Sequence, residues 1–403
     1  VTSLHTPRRV LLGICGGIAA YKVGYVISTL AKAGVEVRCI LTQRGQAFMP
    51  ALTVATLSRH QAYTDDGFWQ SDQGRPLHIA LGEWAELLVI APLSANTLGK
   101  LAYGLADNLL TNTVLASTCP VLLAPAMNTD MWQQRAVQRN WQLVMQDARY
   151  HGIEPGNGML ACDRVGTGKM AEPDDMLMAI ESLLHTGGQR DLAGQQVLIS
   201  GGSTREHLDP VRFIGNPSTG KMGVALALAA LHRGANVTLV HGPMADSLRS
   251  RLGSVQTIGV TSAAEMHRAM INHLPQADWV IMAAAVADVK PATQADHKLA
   301  KADLPALLPL APVPDIVADL AQRRQPHQKL IGFAAQTGDI VPPALDKLRR
   351  KGLDAIVANP VDVANSGFGS DRNQAIIITR TGKQTTIPPC SKLSMAHQIF
   401  DAL

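Results

Sequence analysis

Aromatic side chains make up only 4% of the 403 residues, and charged ones 17%. So few rings leave little surface for stacking nucleic-acid bases. The balance of 36 Lys and Arg against 32 Asp and Glu, a net charge of +4, is too small and too dispersed for a phosphate-backbone footprint. It suits anionic metabolites better than nucleic acid. Five cysteines (Cys15, Cys39, Cys119, Cys162 and Cys390) include no C-x-x-C pair. That argues against a disulfide framework or a structural zinc site and for a reducing, cytoplasmic setting. No apolar run reaches the roughly eighteen residues of a membrane span. The run after Arg8 and Arg9, which could pass for a secretory leader, is broken by Gly13, Gly16, Gly17 and Lys22. What is plentiful is apolar: 46% hydrophobic residues can build sizeable cores, and 403 residues are enough for two or three domains.

Two stretches roughly 190 residues apart tell one structural story. VLLGIC (Val10 to Cys15) reads as a buried strand, the glycine-led segment to Gly34 as a helix, and VEVRCILT as the next strand. VLISGG (Val197 to Gly202), KMGVALALAALHRG and ANVTLVHG repeat the pattern. LLVIAPLSANT (Leu87 to Thr97) then matches WVIMAAAVADV (Trp279 to Val289), and VLLAPAMN (Val121 to Asn128) matches LIGFAAQT (Leu330 to Thr337). Continuous apolar strands alternating with helices predict an α/β chain of two tandem Rossmann-like domains with parallel sheets covered on both faces. Ligands then bind at the carboxyl ends of the strands. The polar, glycine-bearing HTGGQRDLAGQQ (His185 to Gln196) reads as the linker, with a boundary near residue 190.

Neither opening carries the G-x-G-x-x-G fingerprint of dinucleotide folds or an acidic residue after its second strand, which ends at Thr42 in one half and His241-Gly242 in the other. A helix start can still take a phosphate on its free amides. The stretch G-N-P-S-T-G-K-M (Gly215 to Met222) nearly matches a phosphate loop but places Met222 where a hydroxyl must hold magnesium. It is a glycine-rich helix entry with Lys221, fit for phosphate contact but not for P-loop chemistry. His78 stands before a helical apolar pattern, a place more often filled by a surface or core histidine than by a catalytic one. Cys162 sits among the four glycines of Gly156 to Met170, a flap composition that would expose its thiol. Lys298 and Lys301, and then Lys347 to Lys351, form basic runs that become functional only where they converge with Asp288 on strand ends.

Taken together, these motifs resemble the bacterial bifunctional phosphopantothenoylcysteine decarboxylase and phosphopantothenate–cysteine ligase of coenzyme A synthesis, over almost the whole chain. The likeness rests in the first half on G-G-I-A-A-Y-K (Gly16 to Lys22), the segment around His78, A-P-L-S-A-N-T (Ala91 to Thr97), P-A-M-N-T-D-M (Pro125 to Met131) and the Cys162 flap. In the second half it rests on G-G-S-T-R-E-H-L-D-P-V-R-F-I-G-N (Gly201 to Asn216), S-T-G-K-M-G (Ser218 to Gly223), A-A-V-A-D (Ala284 to Asp288) and G-F-A-A (Gly332 to Ala335).

The resemblance implies a flavodoxin-like FMN-dependent decarboxylase over residues 1–188 and a CTP-dependent ligase over 189–403. It implies FMN contacts from Cys15, Gly16, Gly17, Ile18, Thr42, Ala91, Ser94 and Thr97. In that family the flavin oxidises the substrate thiol, carbon dioxide leaves, and the hydride returns. The resemblance gives His78 the part of base, Asn128 that of carboxylate holder, and Cys162 that of acid. In the ligase half it implies that CTP activates 4′-phosphopantothenate as an acyl-cytidylate, which the cysteine amine attacks. Asn216 is expected at the acyl intermediate, with Lys298 also catalytic. Ala284, Asp288, Lys298, Val313, Pro314, Asp315, Ile316, Phe333, Lys347 and Lys351 are expected around CTP, with magnesium on Asp288. It further implies a large homo-oligomer with a trimer-based decarboxylase core and a dimeric ligase, and no nucleic-acid or membrane partner.

Three positions depart from the family's usual residues: Cys15 stands for serine, Val313 for asparagine and Gln336 for glutamate. Backbone amides can serve the phosphate without the Cys15 side chain, whereas Val313 removes a side-chain hydrogen bond and Gln336 a negative charge near the nucleotide. Two other readings compete: a P-loop-like nucleotide switch or ATPase built on Gly215 to Met222, and a non-catalytic flavoprotein that regulates a partner. Met222 opposes the first, and the joint presence of His78 and Cys162 opposes the second.

Overall fold

The computed structural model describes residues 7–70, 74–159, 164–304, 306–363, 367 and 369–403. It divides into two units, Val1–Gln189 and Arg190–Leu403.

The first unit is built on β1 (Arg9–Ile14), β2 (Glu36–Leu41), β3 (Ala62–Thr64), β4 (Leu87–Leu93), β5 (Val121–Pro125) and β6 (Tyr150–Gly152). All pairings are parallel, in the order β3-β2-β1-β4-β5-β6. Strand side chains alternate between two cores, as period two requires. Val10, Leu12, Ile14 and Val89 face the helices Ala20–Lys32 and Pro173–Thr186, whereas Leu11, Leu88 and Ile90 face Leu77–Trp84 and Leu109–Ala116. Burying each such side chain contributes about 1.5–3 kcal/mol. Within the doubly wound class, this is the Rossmann strand order rather than the flavodoxin order. The chain builds β1 to β3 outward on one side before crossing back to β4, so the order reverses between β1 and β4. A hairpin of β7 (Gly156–Met159) and β8 (Val165–Lys169) follows. The first helix begins at Ala20 and not at its glycines, because Gly16 to Ala19 form a turn.

The second unit adds β9 (Gln196–Gly201), β10 (Arg205–His207), β11 (Phe213–Gly215), β12 (Asn236–His241), β13 (Gln256–Gly259), β14 (Trp279–Met282), β15 (Val289–Pro291), β16 (Leu310–Pro312), β17 (Lys329–Gln336), β18 (Ala355–Pro360), β19 (Arg372–Thr379) and β20 (Gln384–Ser391). Its main sheet runs β13-β12-β9-β14-β17-β18-β19-β20, and its order reverses between β9 and β14. The expected parallel sheet is mixed here: β18, β19 and β20 pair antiparallel. The short turn 380–383 joins β19 to β20 with Gly382 at φ 85°, and a connection that short leaves no room for a crossover helix.

Where this unit opens and closes, one buried guanidinium gathers both segments. Arg233 is 5% exposed and donates from Nε to Asp191 Oδ1 at 2.8 Å, and from Nη1 to Asp401 Oδ1 at 2.7 Å and to the His397 carbonyl at 3.1 Å. Its plane lies over the Phe400 ring, 5.7 Å from the centroid.

Candidate active sites

In the first unit the reversal point is framed by the turn after β1 and the turn after β4. Cys15 leaves β1 fully buried, and its thiol donates to Thr97 Oγ1 at 3.2 Å. Ser94 caps the helix Ala95–Tyr103, accepting from the Thr97 amide at 3.3 Å, and its hydroxyl lies 3.2 Å from Thr97 Oγ1. Burial pushes the Cys15 thiol above its ordinary range, and the hydrogen bonds from Thr97 and Ser94 only partly oppose that. Thr42 ends the neighbouring strand with its hydroxyl on the Ile14 carbonyl at 3.3 Å and the Gly45 amide at 3.1 Å. This packing admits no side chain at two glycines. A Cβ on Gly45 would lie 2.3 Å from the Ile14 carbonyl oxygen, and one on Gly16 would lie 2.5 Å from Arg44 Cβ.

Among the described residues, the amides of Gly16, Gly17, Ile18 and Ala19 have no hydrogen-bond acceptor. They stand at the start of a 13-residue helix, at the carboxyl end of a central strand. Unsatisfied donors on a positive helix end suit a phosphate. The buried Ala91 backs this turn from β4, and the Cys15 amide donates to the Pro92 carbonyl at 3.3 Å. The residues present therefore fit a flavin mononucleotide.

The other expected decarboxylase residues lie on separate elements. His78 is in the first turn of Leu77–Trp84, with its ring edge-on to Phe68 at 5.4 Å. Its Nδ1 is enclosed without a hydrogen-bond partner among the described residues. Asn128 caps Thr129–Gln133, its Oδ1 accepting from the Asp130 amide at 2.7 Å. The hairpin is fastened beside it: the Met127 amide donates to the Gly168 carbonyl at 3.0 Å, and Arg164 pairs with Asp130. Cys162 lies outside the described residues.

In the second unit a cavity of about 720 Å³ opens at the carboxyl ends of β14 and β17. Asn216, Ala284, Asp288, Val313, Pro314, Asp315, Ile316, Phe333, Lys347 and Lys351 all line it. Asn216 Nδ2 donates to the Ala285 and Val286 carbonyls at 3.3 and 3.2 Å, which fixes the side chain across the end of β14. Lys347 Nζ donates to the Phe333 carbonyl at 2.9 Å. Burial pulls its ammonium below the usual lysine range, with Asp288 opposing. Lys351 pairs with Asp315, which also caps Ile316–Arg323. Lys298 is not among the lining residues; it is exposed in the loop between β15 and β16.

Sequence reasoning left three further basic groups of the lining, Lys221, Arg350 and Lys392, out of its site. Lys221 lines the cavity with its Nζ 2.6 Å from Asp371 Oδ1 and 2.9 Å from the Gly369 carbonyl. The glycine-rich helix entry was its signal. Lys392 is buried in the cavity wall and donates to the Gly367 carbonyl at 3.1 Å. Burial lowers its pKa, the Lys221 charge lowers it further, and Asp371 opposes. No motif marked Lys392. Among the described residues no group of three or more metal-ligating side chains occurs; Asp288 and Asp315 are the two carboxylates that line the cavity, and Asp315 is paired with Lys351. No described helix is long and apolar enough to cross a membrane.

Two family models match the chain: the flavoprotein model over residues 2–185 and the C-terminal domain of the DNA/pantothenate metabolism flavoprotein over residues 192–403. The coenzyme A biosynthesis bifunctional protein CoaBC of Bacillus subtilis (strain 168) is 43% identical over 396 residues, covering 98% of this chain and 96% of that one. Its counterpart in Vibrio cholerae serotype O1 is 38% identical over 395 residues, covering 98% and 97%. A cysteine/cysteine sulfinic acid decarboxylase from an unknown prokaryotic organism is 42% identical over 337 residues, covering 82% and 91%. The chain thus belongs to the family of bifunctional coenzyme A biosynthesis proteins, enzymes that join a flavoprotein decarboxylase to a ligase.

Proposed function

We propose that residues 189–403 ligate cysteine to 4′-phosphopantothenate with CTP, and that residues 1–188 decarboxylate the product with FMN. The observation that carries the ligase reading is the single cavity that gathers Asn216, Asp288, Asp315, Phe333, Lys347 and Lys351 at the strand ends. A free carboxylate is a poor electrophile. Its attack on the α-phosphorus of CTP releases pyrophosphate and leaves an acyl-cytidylate, from which the cysteine amine displaces CMP. Lys347 and Lys351 neutralise the phosphates, Asn216 orients the acyl group, and Lys298 reaches in from its loop to the charge that develops. Magnesium arrives with the triphosphate, which suits a site whose one described carboxylate not paired with a lysine is Asp288, because this ion is ordinarily held by one or two carboxylates plus phosphate oxygens.

In the decarboxylase half, Gly16, Gly17 and Ile18 bind the FMN phosphate through their amides, and Cys15, Thr42, Ala91, Ser94 and Thr97 shape the pocket. The bound flavin supplies reversible two-electron chemistry at the carbon bearing the thiol. His78 takes the substrate proton; with Nδ1 enclosed, Nε2 is the ring nitrogen open to it. Asn128 holds the substrate carboxylate at its helix start, and Cys162 returns a proton. A homo-oligomer with a trimer-based core fits the exposed apolar side chains beside the flavin turn, Ile18 at 60%, Tyr21 at 66% and Tyr25 at 56% exposure. Cytoplasmic residence fits free thiols at Cys15, Cys39, Cys119 and Cys390.

Pyrophosphate release that requires CTP, cysteine and 4′-phosphopantothenate together tests the ligase reading; brisk release without cysteine would refute it. His78→Asn should keep bound flavin absorbance and abolish carbon dioxide release from 4′-phosphopantothenoylcysteine. Unchanged turnover in that variant removes His78 from the reaction.

A further inference from the structure

The motif H-L-D-P-V-R (His207 to Arg212) has no part in the reaction just described, yet it contains a fully buried carboxylate, Asp209. Its residues form the turn of the β10–β11 hairpin, closed by the Leu208 amide on the Arg212 carbonyl at 2.8 Å. Asp209 Oδ1 accepts from the Val211 and Arg212 amides, each at 2.8 Å. That much is an ordinary turn capped by its own aspartate. The second oxygen is used differently. Asp209 Oδ2 accepts from the Leu299 amide at 3.3 Å, and Arg212 Nη2 donates to the Leu299 carbonyl at 2.9 Å. The guanidinium and carboxylate are themselves joined, with Arg212 Nη1 3.5 Å from Asp209 Oδ2. A further strut runs from the Ala295 amide to the Leu208 carbonyl at 2.9 Å.

Both backbone polar groups of one residue are thus gripped by a charged pair, and that residue directly follows Lys298. We propose that Asp209 and Arg212 are positioning residues of the ligase, clamping Leu299 so that the backbone origin of Lys298 is fixed while its ammonium stays free to reach substrate. The same hairpin carries Asn216 on the far side of β11, one residue beyond Gly215. One rigid element therefore sets the position of two groups that the reaction needs at once. A buried carboxylate would resist ionising, but the Arg212, Val211 and Leu299 amides and the Arg212 charge outweigh burial and hold Asp209 below the usual carboxylate range. The clamp keeps its charge at neutral pH.

The inference rests on Lys298 acting in ligation, and the test separates the two. In the full-length enzyme, Asp209→Asn should lower kcat for ligation by about 100-fold, the effect of displacing a reacting group by about 1 Å. The KM for CTP should stay within a factor of about two, since Lys298 does not line the cavity and the residues that do are untouched. Arg212→Met should act in the same direction, and Arg212→Lys, which keeps a donor for the Leu299 carbonyl, should recover part of the rate. The deciding measurement is the double variant with Lys298→Gln. If the clamp works through Lys298, adding Asp209→Asn to Lys298→Gln slows the enzyme no further. Additive losses, or a full rate in Asp209→Asn, overturn the proposal. Should Asp209→Asn fail to fold, as thermal unfolding would show, the Arg212→Met and Lys298→Gln pair decides by the same criterion. A wild-type rate in Lys298→Gln alone overturns the lysine's role and with it the clamp's purpose, even if hydrogen exchange in Asp209→Asn shows the Leu299 amide loosened.

Discussion

Lys347→Met should move stability and function in opposite directions. Among the described residues the ammonium has one hydrogen-bond partner, the Phe333 carbonyl at 2.9 Å, which leaves two of its protons for a ligand in the cavity. Charge-assisted hydrogen bonds of that kind contribute about 1.5–3 kcal/mol, so their loss should raise the KM for CTP by about 10- to 150-fold. Without nucleotide the sign reverses. Burial holds the folded pKa of Lys347 below its ordinary 10.5, so the charged form is penalised by folding. That penalty is borne in full below the lowered folded value and is relieved as pH rises through it toward 10.5. At neutral pH the variant sheds the penalty and keeps most of the apolar stem. Its unliganded Tm should match or exceed that of the parent, while the rise in Tm on adding CTP should shrink. The two assays are a pyrophosphate-release titration in CTP and thermal unfolding with and without nucleotide. A variant whose Tm drops by several degrees with an unchanged KM would show Lys347 to be structural and refute the reasoning.

Gly242→Ala should destabilise the second unit, because the new Cβ would lie 1.9 Å from the Ser203 carbonyl oxygen. Overpacking of this kind costs about 1–3 kcal/mol, or about 2–12 °C in Tm for a domain of this size, measurable by calorimetry. Cys15→Ser should retain flavin, since a hydroxyl can donate to Thr97 Oγ1 as the thiol does, whereas Cys15→Val leaves that oxygen without this donor and should weaken flavin retention on dialysis. The Lys221–Asp371 pair lowers the Asp371 pKa below 3.8, so its contribution is present above that value and is lost as pH falls through the lowered one. With Asp371 87% exposed, that contribution stays under about 1 kcal/mol, and acid titration of Asp371→Asn against the parent should differ only at the acidic end.

Both sheets were legible because parallel strands buried on two faces read as unbroken apolar runs, as in LLVIAPL and WVIM. The strand ends that carry the candidate sites were legible too, since small-residue loops follow those strands, whereas the order of the strands was not. The antiparallel pair β19–β20 was not, because its eight-residue strands carry polar and apolar residues without a clear period. Asn216 and Asp288 converge because each adjoins a strand end, and Lys347 and Lys351 reach the same cavity from the C-terminal end of the helix Val341–Arg350, which Lys351 caps; Lys298 sits in a long loop whose path no local pattern encodes. Lys392 was invisible for a different reason. A lysine at a helix start is ordinarily solvated, and here burial with a hydrogen bond to the Gly367 carbonyl makes it part of a cavity wall.

The arginine that holds Asp191 and Asp401 brings the first and last turns of the second unit to neighbouring positions. A body whose ends meet can be cut elsewhere and resealed there. A circularly permuted ligase, opened at the exposed turn 380–383 and bridged from Leu403 back to Arg190 by a few glycines and serines, should retain its sheet and its cavity. That would give protein engineers a free choice of where to attach a sensor or a second catalyst.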